Sequence, residues 1–500
     1  MKLKLLDNYR KDEQGGILAF YVVMFMLMMV GGGMSIDFMR HEMKRESLQS
    51  ALDRGVLAAT SNAQTTGATS AAEIAAAELE AIATVRSYIT ISGFDPDAAG
   101  VTITPNITAL SQRVDASSNF AVDTYFLRLS GIDILNGAAA SAAAISASKI
   151  EISLVLDVSG SMDFDVIDPD TGNILGRRID FLQTAAKDFA ATLLNGTRSN
   201  YTSMSIVPFS GQVALPGSMA IEYTNFGLYD AGAGTYNPWH DYSNCMEFNA
   251  VDYLTTSFDK NQSRDQYEHF NLWGGRGGGR PSEQVSYCPG SNSEILPLAN
   301  NLNIIDNMID DLTPQGSTNT WTGIKWGVTL LDPDSDSLVA NLSDVDPLFA
   351  GRPAAYSDVD TLKFLIVMAD GQNTAELIIP ESTYNAWGTS EAYTQQNADY
   401  WAPYNAGGVL WDASSNYLPG VVRTSGAEGD ARMQAICGAA KEAGITIFAI
   451  GTDIAVGSNE YVQMRNCATT VGHFYSVGAQ DLDAAFNSIS NTIQKLRLVN

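Results

Sequence analysis

Five hundred residues, 45% hydrophobic and 9% aromatic, are enough for two or three cores, which excludes a disordered tail or a lone mini-domain. Asp and Glu number 56 against 29 Lys and Arg, and the formal charge of -27 repels phosphate backbones, so no nucleic-acid partner is expected. Four cysteines and four histidines, with no Cys-x-x-Cys or His-Glu-x-x-His spacing, leave few ligands for zinc, iron–sulfur or thiolate chemistry.

Residues 1–14 read as a short tail. Between Glu13 and Asp37 lie 23 uncharged residues, and residues 17–30 are all apolar or aromatic. Residues 15–36 therefore predict one transmembrane helix, since about 1.5 Å per residue carries it across a hydrocarbon core of roughly 30 Å. A cleaved signal peptide is the competing reading; the stretch is long for one, and no Ala-x-Ala follows promptly. Flanking charges (Lys2, Lys4, Arg10 and Lys11 against Arg40, Lys44, Arg45 and Arg54) balance four against four and do not orient the helix. No later uncharged run is apolar enough to span, so the rest of the chain shares one compartment. The even cysteine count predicts an oxidising one, with Cys245 and Cys288, and Cys437 and Cys467, as nearest neighbours among three possible connectivities.

Residues 37–148 read as a helical stalk and a small α+β unit. Ala, Glu, Leu and Arg without Pro predict helices to about Ile89, broken near residues 61–69 where Ser, Asn, Thr and Gly cluster. Pro96 and Pro105 end helical character, and Val101–Ile107 and residues 120–129 alternate as strands. The Ala-rich residues 137–147 lead into the next domain.

From residue 149 to 500 the pattern is α/β. Residues 152–156, 204–209, 364–368 and 445–450 are short apolar runs, as expected of strands covered on both faces in a mostly parallel sheet. Ile179, Leu182, Ala186, Phe189 and Leu193 form one helical stripe that would cover it, and Leu482, Phe486, Ile489, Ile493 and Leu496 form another. Residues 211–297 and 374–427 fit neither pattern and read as long insertions, the first stapled by its cysteines. Gly274 to Gly279 lacks the Lys-Ser/Thr of a phosphate loop and reads as flexible loop.

The chemistry concentrates at the carboxyl end of the first parallel strand, Asp157-Val158-Ser159-Gly160-Ser161-Met162. Open parallel sheets place ligand sites at that edge. One carboxylate and two hydroxyls suit a hard divalent cation that keeps several waters, Mg²⁺ or Mn²⁺, whereas Ca²⁺ usually gathers more carboxylates. The loop Gly316-Ser317-Thr318-Asn319-Thr320 and Asp370-Gly371, at the end of the strand 364–368, follow in an order that returns to the same edge.

This pattern resembles the von Willebrand factor A (vWA) domain and its metal-ion-dependent adhesion site, Asp-x-Ser-x-Ser, then Thr, then Asp. Asp157, Ser159, Ser161, Thr318 and Asp370 stand at the five positions, with Thr320 as second choice for the Thr. The resemblance implies a doubly wound, Rossmann-like sheet. It also implies Mg²⁺ (Mn²⁺ or Ca²⁺ as alternatives) held by these oxygens, and a protein partner that offers an acidic residue to the open coordination position.

A second resemblance covers most of the rest. Gln14-Gly15-Gly16 before the apolar helix, then Gly33-Met34-Ser35-Ile36-Asp37 and Leu48-Gln49-Ser50-Ala51-Leu52-Asp53, look like the amino terminus of TadE/TadG-like pilus-assembly proteins. Ile295 to Leu298, Gly323-Ile324-Lys325-Trp326-Gly327, Cys437 through Ile450 and Asn466-Cys467 look like the vWA part of the same family. That resemblance implies a non-enzymatic, single-pass inner-membrane component of the tight-adherence (Flp) machinery, with the bulk of the chain periplasmic and partners among pilus or envelope proteins. The alternative is a structural envelope tether whose metal only stabilises the fold. A prepilin-type cut after Gly16 is not expected, because Tyr21 stands where that signal wants Glu.

Other signals are weaker. Asp332, Asp334 and Asp336 have the opening spacing of a calcium loop, but Ser337 and Ser343 replace its Gly and Glu, so a polar turn is expected. His240 and His269 sit among Trp239, Tyr242, Tyr267 and Trp273, side chains suited to a contact surface. No Ser, Cys or Thr nucleophile matches a known local hydrolase motif.

Overall fold

The computed structural model describes residues 15–63, 70–108, 111–146, 148–168, 170–195, 197–221, 228–230, 235–237, 244–259, 262, 264, 266–267, 288–339, 342, 345–377 and 422–499. The chain forms two compact units, residues 1–147 and 148–500.

In the first unit the uncharged stretch and the helix-forming residues after it make one helix, α1 (Gly15–Ala63), with no break at Asp37. Among the described residues it is the helix long and apolar enough to cross a membrane. Beyond that span Leu48, Ala51, Leu52, Val56 and Ala59 line up at helical spacing and are buried with Ala77, Ala81, Val85 and Ile89 of α2 (Ala71–Ile91). The second helix starts at a capping box: the Ser70 hydroxyl accepts the Glu73 N–H at 3.2 Å, and the Glu73 carboxylate accepts the Ser70 N–H at 3.0 Å.

Three antiparallel strands, β1 (Val101–Ile107), β2 (Ser111–Asp123) and β3 (Ile134–Ser146), complete this unit in the order β1-β2-β3. Most of β3 is the Ala-rich segment read from sequence as a lead into the next domain; alanine on both faces erases the alternation that marks a strand. The strand expected over residues 120–129 stops at Asp123. The next free N–H groups, those of Tyr125, Phe126 and Leu127, donate to the Asp37 carboxylate instead of a neighbouring strand, and the chain turns into a 3₁₀ helix at Leu127–Ser130.

The second unit runs β4 (Lys149–Asp157), a hairpin of β5 (Asp165–Ile167) and β6 (Ile174–Arg177), α3 (Arg178–Leu194) and β7 (Thr202–Phe209). A short hairpin, β8 (Leu228–Asp230) and β9 (Thr235–Asn237), precedes β10 (Leu296–Ala299), α4 (Leu302–Asp310), α5 (Thr320–Thr329) and β11 (Thr361–Ala369). The pair β12 (Glu376–Leu377) and β13 (Val422–Thr424) then leads to α6 (Gly426–Glu442), β14 (Thr446–Thr452), α7 (Asn459–Cys467), β15 (Phe474–Val477) and α8 (Leu482–Val499).

Six strands form one mixed sheet in the order β10-β7-β4-β11-β14-β15. The five from β7 to β15 are parallel and the edge strand β10 is antiparallel. The register puts Val207, Val155, Val367 and Ala449 in one row and Ile206, Leu154, Ile366 and Phe448 in the next. Because successive side chains point to opposite faces, the first row packs in one core with Trp321, Ile324 and Ile436, and the second in another with Leu182, Phe189 and Phe486. Both faces are thus covered by helices, which is why these strands read as unbroken apolar runs.

The helix α5 approaches the sheet through its glycines. A Cβ at Gly323 would lie 2.7 Å from the Phe209 ring, and one at Gly327 would lie 2.6 Å from Val155 Cγ2 and 2.7 Å from Leu365 Cδ1. Two disulfides are formed, Cys245–Cys288 across the first insertion and Cys437–Cys467 between α6 and α7, with Cα separations of 5.8 and 5.2 Å. The sequence left three pairings open; proximity in the fold selects this one.

Candidate metal centre

Parallel strands β4 and β11 pair with Leu156 beside Met368, so Asp157 and Asp370 emerge together where the two strands end. Both are buried. The Asp370 N–H lies 3.3 Å from Asp157 Oδ2, and the Ser159 N–H donates to Asp157 Oδ1 at 2.8 Å. In the turn after β4 the hydroxyls of Ser159 and Ser161 stand 3.0 Å apart, and the Ser161 hydroxyl donates to Asp370 Oδ1 at 2.7 Å.

The loop before α5 is drawn to the same place from both sides. Gln315 N–H donates to Val158 O at 2.7 Å, and Gly160 N–H to Gly316 O at 3.1 Å. Asn319 ties the loop to the end of β7, its amide group donating to Gly211 O at 2.8 Å and its backbone N–H to Ser210 O at 2.9 Å. Thr374 accepts the Thr318 N–H at 3.2 Å through its hydroxyl. A side chain on Gly371 would begin 3.9 Å from Ser161 Oγ and 4.0 Å from Thr318 Oγ1, so those hydroxyls flank the same small space and glycine leaves it open. All five residues singled out in the sequence therefore meet at one sheet edge. The backbone N–H of Thr320, the second choice for the Thr, donates to Asn373 Oδ1 at 3.0 Å.

Two residues were missed in the sequence reading. Arg178, at the first turn of α3, donates to Asp370 Oδ2 at 2.7 Å and pairs with Asp453 Oδ2 at 3.0 Å, and its guanidinium lies 5.7 Å from the Phe164 ring centroid. Asp453 follows β14 directly, the same strand-terminal position that identified Asp157 and Asp370, so the rule that found two acidic residues could have found the third. Its φ of 56° is left-handed, held by a hydrogen bond from its N–H to Val477 O at 2.9 Å. Arg178 gave no signal beyond its place before the stripe that starts at Ile179.

The electrostatics are unbalanced. Arg178 neutralises Asp370, but among the described residues no cation pairs with Asp157. Burial, and then the neighbouring Asp370 carboxylate, push Asp157 up to about 8. Two carboxylates and three hydroxyls around one small space, with one carboxylate lacking a counter-charge, fit a hard divalent cation.

Elsewhere the Asp332 carboxylate caps its own turn, accepting the Asp334 N–H at 2.9 Å and the Tyr356 hydroxyl at 3.0 Å, as a polar turn requires. Tyr267 is buried, and the loop 274–279, His240, His269, Trp239, Tyr242 and Trp273 lie outside the described residues.

The architecture is a mixed α/β protein: a long apolar N-terminal helix, and a helix-covered sheet with an oxygen-rich site at its edge. Residues 15–77 match the family model described as Flp pilus-assembly TadE/G-like. Among solved structures the chain is similar to the vWF domain of the type V pili tip protein Mfa5 from Porphyromonas gingivalis, at 14% identity and a TM-score of 0.33 over 71% of this chain and 98% of that one. It is similar also to the PilB minor pilin from Streptococcus sanguinis, at 15% identity and a TM-score of 0.32 over 79% of this chain and 78% of that one. A third is an adhesive tip pilin from Group B Streptococcus agalactiae, at 10% identity and a TM-score of 0.33 over 69% of this chain and 99% of that one. Among curated proteins none matches.

Proposed function

We propose that this chain is a membrane-anchored, non-enzymatic vWA protein of the Tad/Flp pilus machinery that grips a protein partner through a divalent metal ion. In this reading the sheet is the doubly wound vWA type. Asp157, Ser159, Ser161, Thr318 and Asp370 hold Mg²⁺, with Mn²⁺ or Ca²⁺ as alternatives. The bound ion supplies the charge that the paired carboxylates lack and an open position for an acidic side chain of a pilus or envelope component. The observation that carries the reading is the convergence of two buried strand-terminal carboxylates and three hydroxyls at the sheet edge.

Further features support it. The match over residues 15–77 favours a pilus-assembly setting. The uncharged span of α1 favours a single-pass anchor in the inner membrane, and the two disulfides favour a periplasmic second unit. Beside the site the β5–β6 hairpin exposes Phe164, Ile167, Ile174 and Leu175, an apolar rim suited to a protein ligand.

The test is co-purification of pilus-system proteins with the full chain in Mg²⁺ and in chelator, for the natural protein and Asp157→Ala. Loss of partners under chelation and in the variant is expected; binding that survives both would refute the proposal. The hydrogen bonds that knit β4 to β11 favour a second reading, a metal that only stabilises the fold. It predicts that Ser161→Ala lowers thermal stability yet leaves the complexes intact.

A further inference from the structure

The first unit carries a separate surface at the level where the uncharged span of α1 ends. Asp37 is the first charged residue after that span, and it is 1% exposed. Its carboxylate accepts the N–H groups of Tyr125, Phe126 and Leu127 at 3.0, 2.8 and 2.8 Å, which compensates the buried charge. One turn earlier, at Gly33, any Cβ would overlap the Phe126 ring, so glycine is what lets the ring lie against the helix. The segment between β2 and β3 is therefore clamped to α1 within about one turn of the end of the span.

From this clamp the segment turns apolar side chains outward. Tyr125 is 66% exposed, Leu129 72%, Ile132 45% and Ile134 50%, and Phe38 and Met39 of α1 are exposed near the same level. Cations accompany them: the Arg40 guanidinium lies 4.2 Å from the Tyr125 ring centroid, and Arg128 is exposed and paired with Asp133 at 3.1 Å. Each large apolar side chain left in water forgoes the stabilisation that burial of its exposed surface would bring. A bilayer interface provides that burial, takes tyrosine rings at headgroup depth and pairs arginines with lipid phosphates.

We infer that residues 124–134 dip into the interface of the same bilayer that α1 crosses, so the first unit meets the membrane at two points, one spanning and one lying on the surface. The occupant is lipid because the patch continues the apolar surface of the anchor. This inference rests on the reading of α1 as a membrane anchor. Two contacts fix how the helix leaves the membrane, which one flexible tether would not do.

Spin labelling of the full chain in phosphatidylethanolamine/phosphatidylglycerol vesicles tests it. All four native cysteines are in disulfides, so a single added cysteine takes the nitroxide selectively. Labels at Leu129→Cys and Ile132→Cys should collide more with oxygen than with a water-soluble nickel chelate, as a label at Val23→Cys within the span should. A label at Leu79→Cys, exposed on α2, should show the reverse. If the Leu129 and Ile132 labels behave like the Leu79 label while the Val23 label stays oxygen-biased, the segment lies in water and the inference is wrong although the anchor stands. If they are shielded from both reagents, protein covers the patch, which also overturns it. A Val23 label that favours nickel removes the anchor reading itself, and the inference with it.

Discussion

Gly327→Ala probes how the sheet edge is built. A Cβ there would lie 2.6 Å from Val155 Cγ2, 2.7 Å from Leu365 Cδ1 and 3.1 Å from Ser153 Oγ, whereas carbon contacts are comfortable only from about 3.5 Å. Val155 and Leu365 are fully buried on the central strands β4 and β11, so the helix, not the sheet, must retreat by roughly 1 Å. Overpacking of this kind costs about 1–3 kcal/mol, and replacing glycine inside a helix returns about 1 kcal/mol. The expected net loss is about 0–2 kcal/mol, centred on about 1 kcal/mol, and it lowers the midpoint of thermal unfolding by roughly 1–3 °C. The loop of Thr318 leads directly into α5, so the same retreat should draw its hydroxyl from Ser161 and weaken Mg²⁺ binding. Differential scanning fluorimetry with and without Mg²⁺ reads both effects. Gly438→Ala is the control: it lies inside α6, where a Cβ would meet nothing within 4 Å, and it should be neutral or stabilising. If Gly327→Ala proved as stable as Gly438→Ala, with an unchanged Mg²⁺ response, the close approach of α5 would not be what positions the site.

Two further outcomes are expected. Without divalent ions, stability should fall as pH rises from about 5 to about 8, because folded Asp157, raised from the usual 3.8 to about 8 by burial and by Asp370, holds a proton that the unfolded chain has already lost. The slope is at most about 1.4 kcal/mol per pH unit and should flatten in saturating Mg²⁺; denaturant titrations across that window measure it, and a rise in metal-free stability would contradict the assignment. Arg178→Gln removes the cation that faces Asp370 and Asp453, so metal-free stability should drop by about 2 kcal/mol while Mg²⁺ binds several-fold tighter for want of a competing charge. Calorimetric titration that finds Mg²⁺ affinity unchanged or weaker would show that Arg178 supports the site instead of competing for it.

How much of this was legible in the sequence depended on whether a signal was local. Residues 152–156 and 364–368 showed themselves as strands because burial on both faces requires uninterrupted apolar side chains, and the aspartates that end those strands were visible for the same reason. The Ala-rich β3 was not, since its small side chains carry no contrast between its two faces. Nor was the end of β2, which is decided by Asp37, a residue 86 positions before Asp123 in the chain. Arg178 was overlooked because an ion pair across the mouth of a sheet leaves no spacing to recognise, whereas Asp453 ends a strand as Asp157 and Asp370 do and was open to the same rule.

Composition and periodicity alone determined that an apolar helix leads the chain, that apolar strands alternate with amphipathic helices after residue 149, and that Asp157, Ser159 and Ser161 share one turn. Those properties arise from neighbours within a few residues. Only the tertiary structure decided which cysteines join, that Arg178 stands across Asp370, and that the segment after β2 is clamped to α1. Each of these depends on groups far apart in the chain, brought together by burial of the shared cores and not by any local preference.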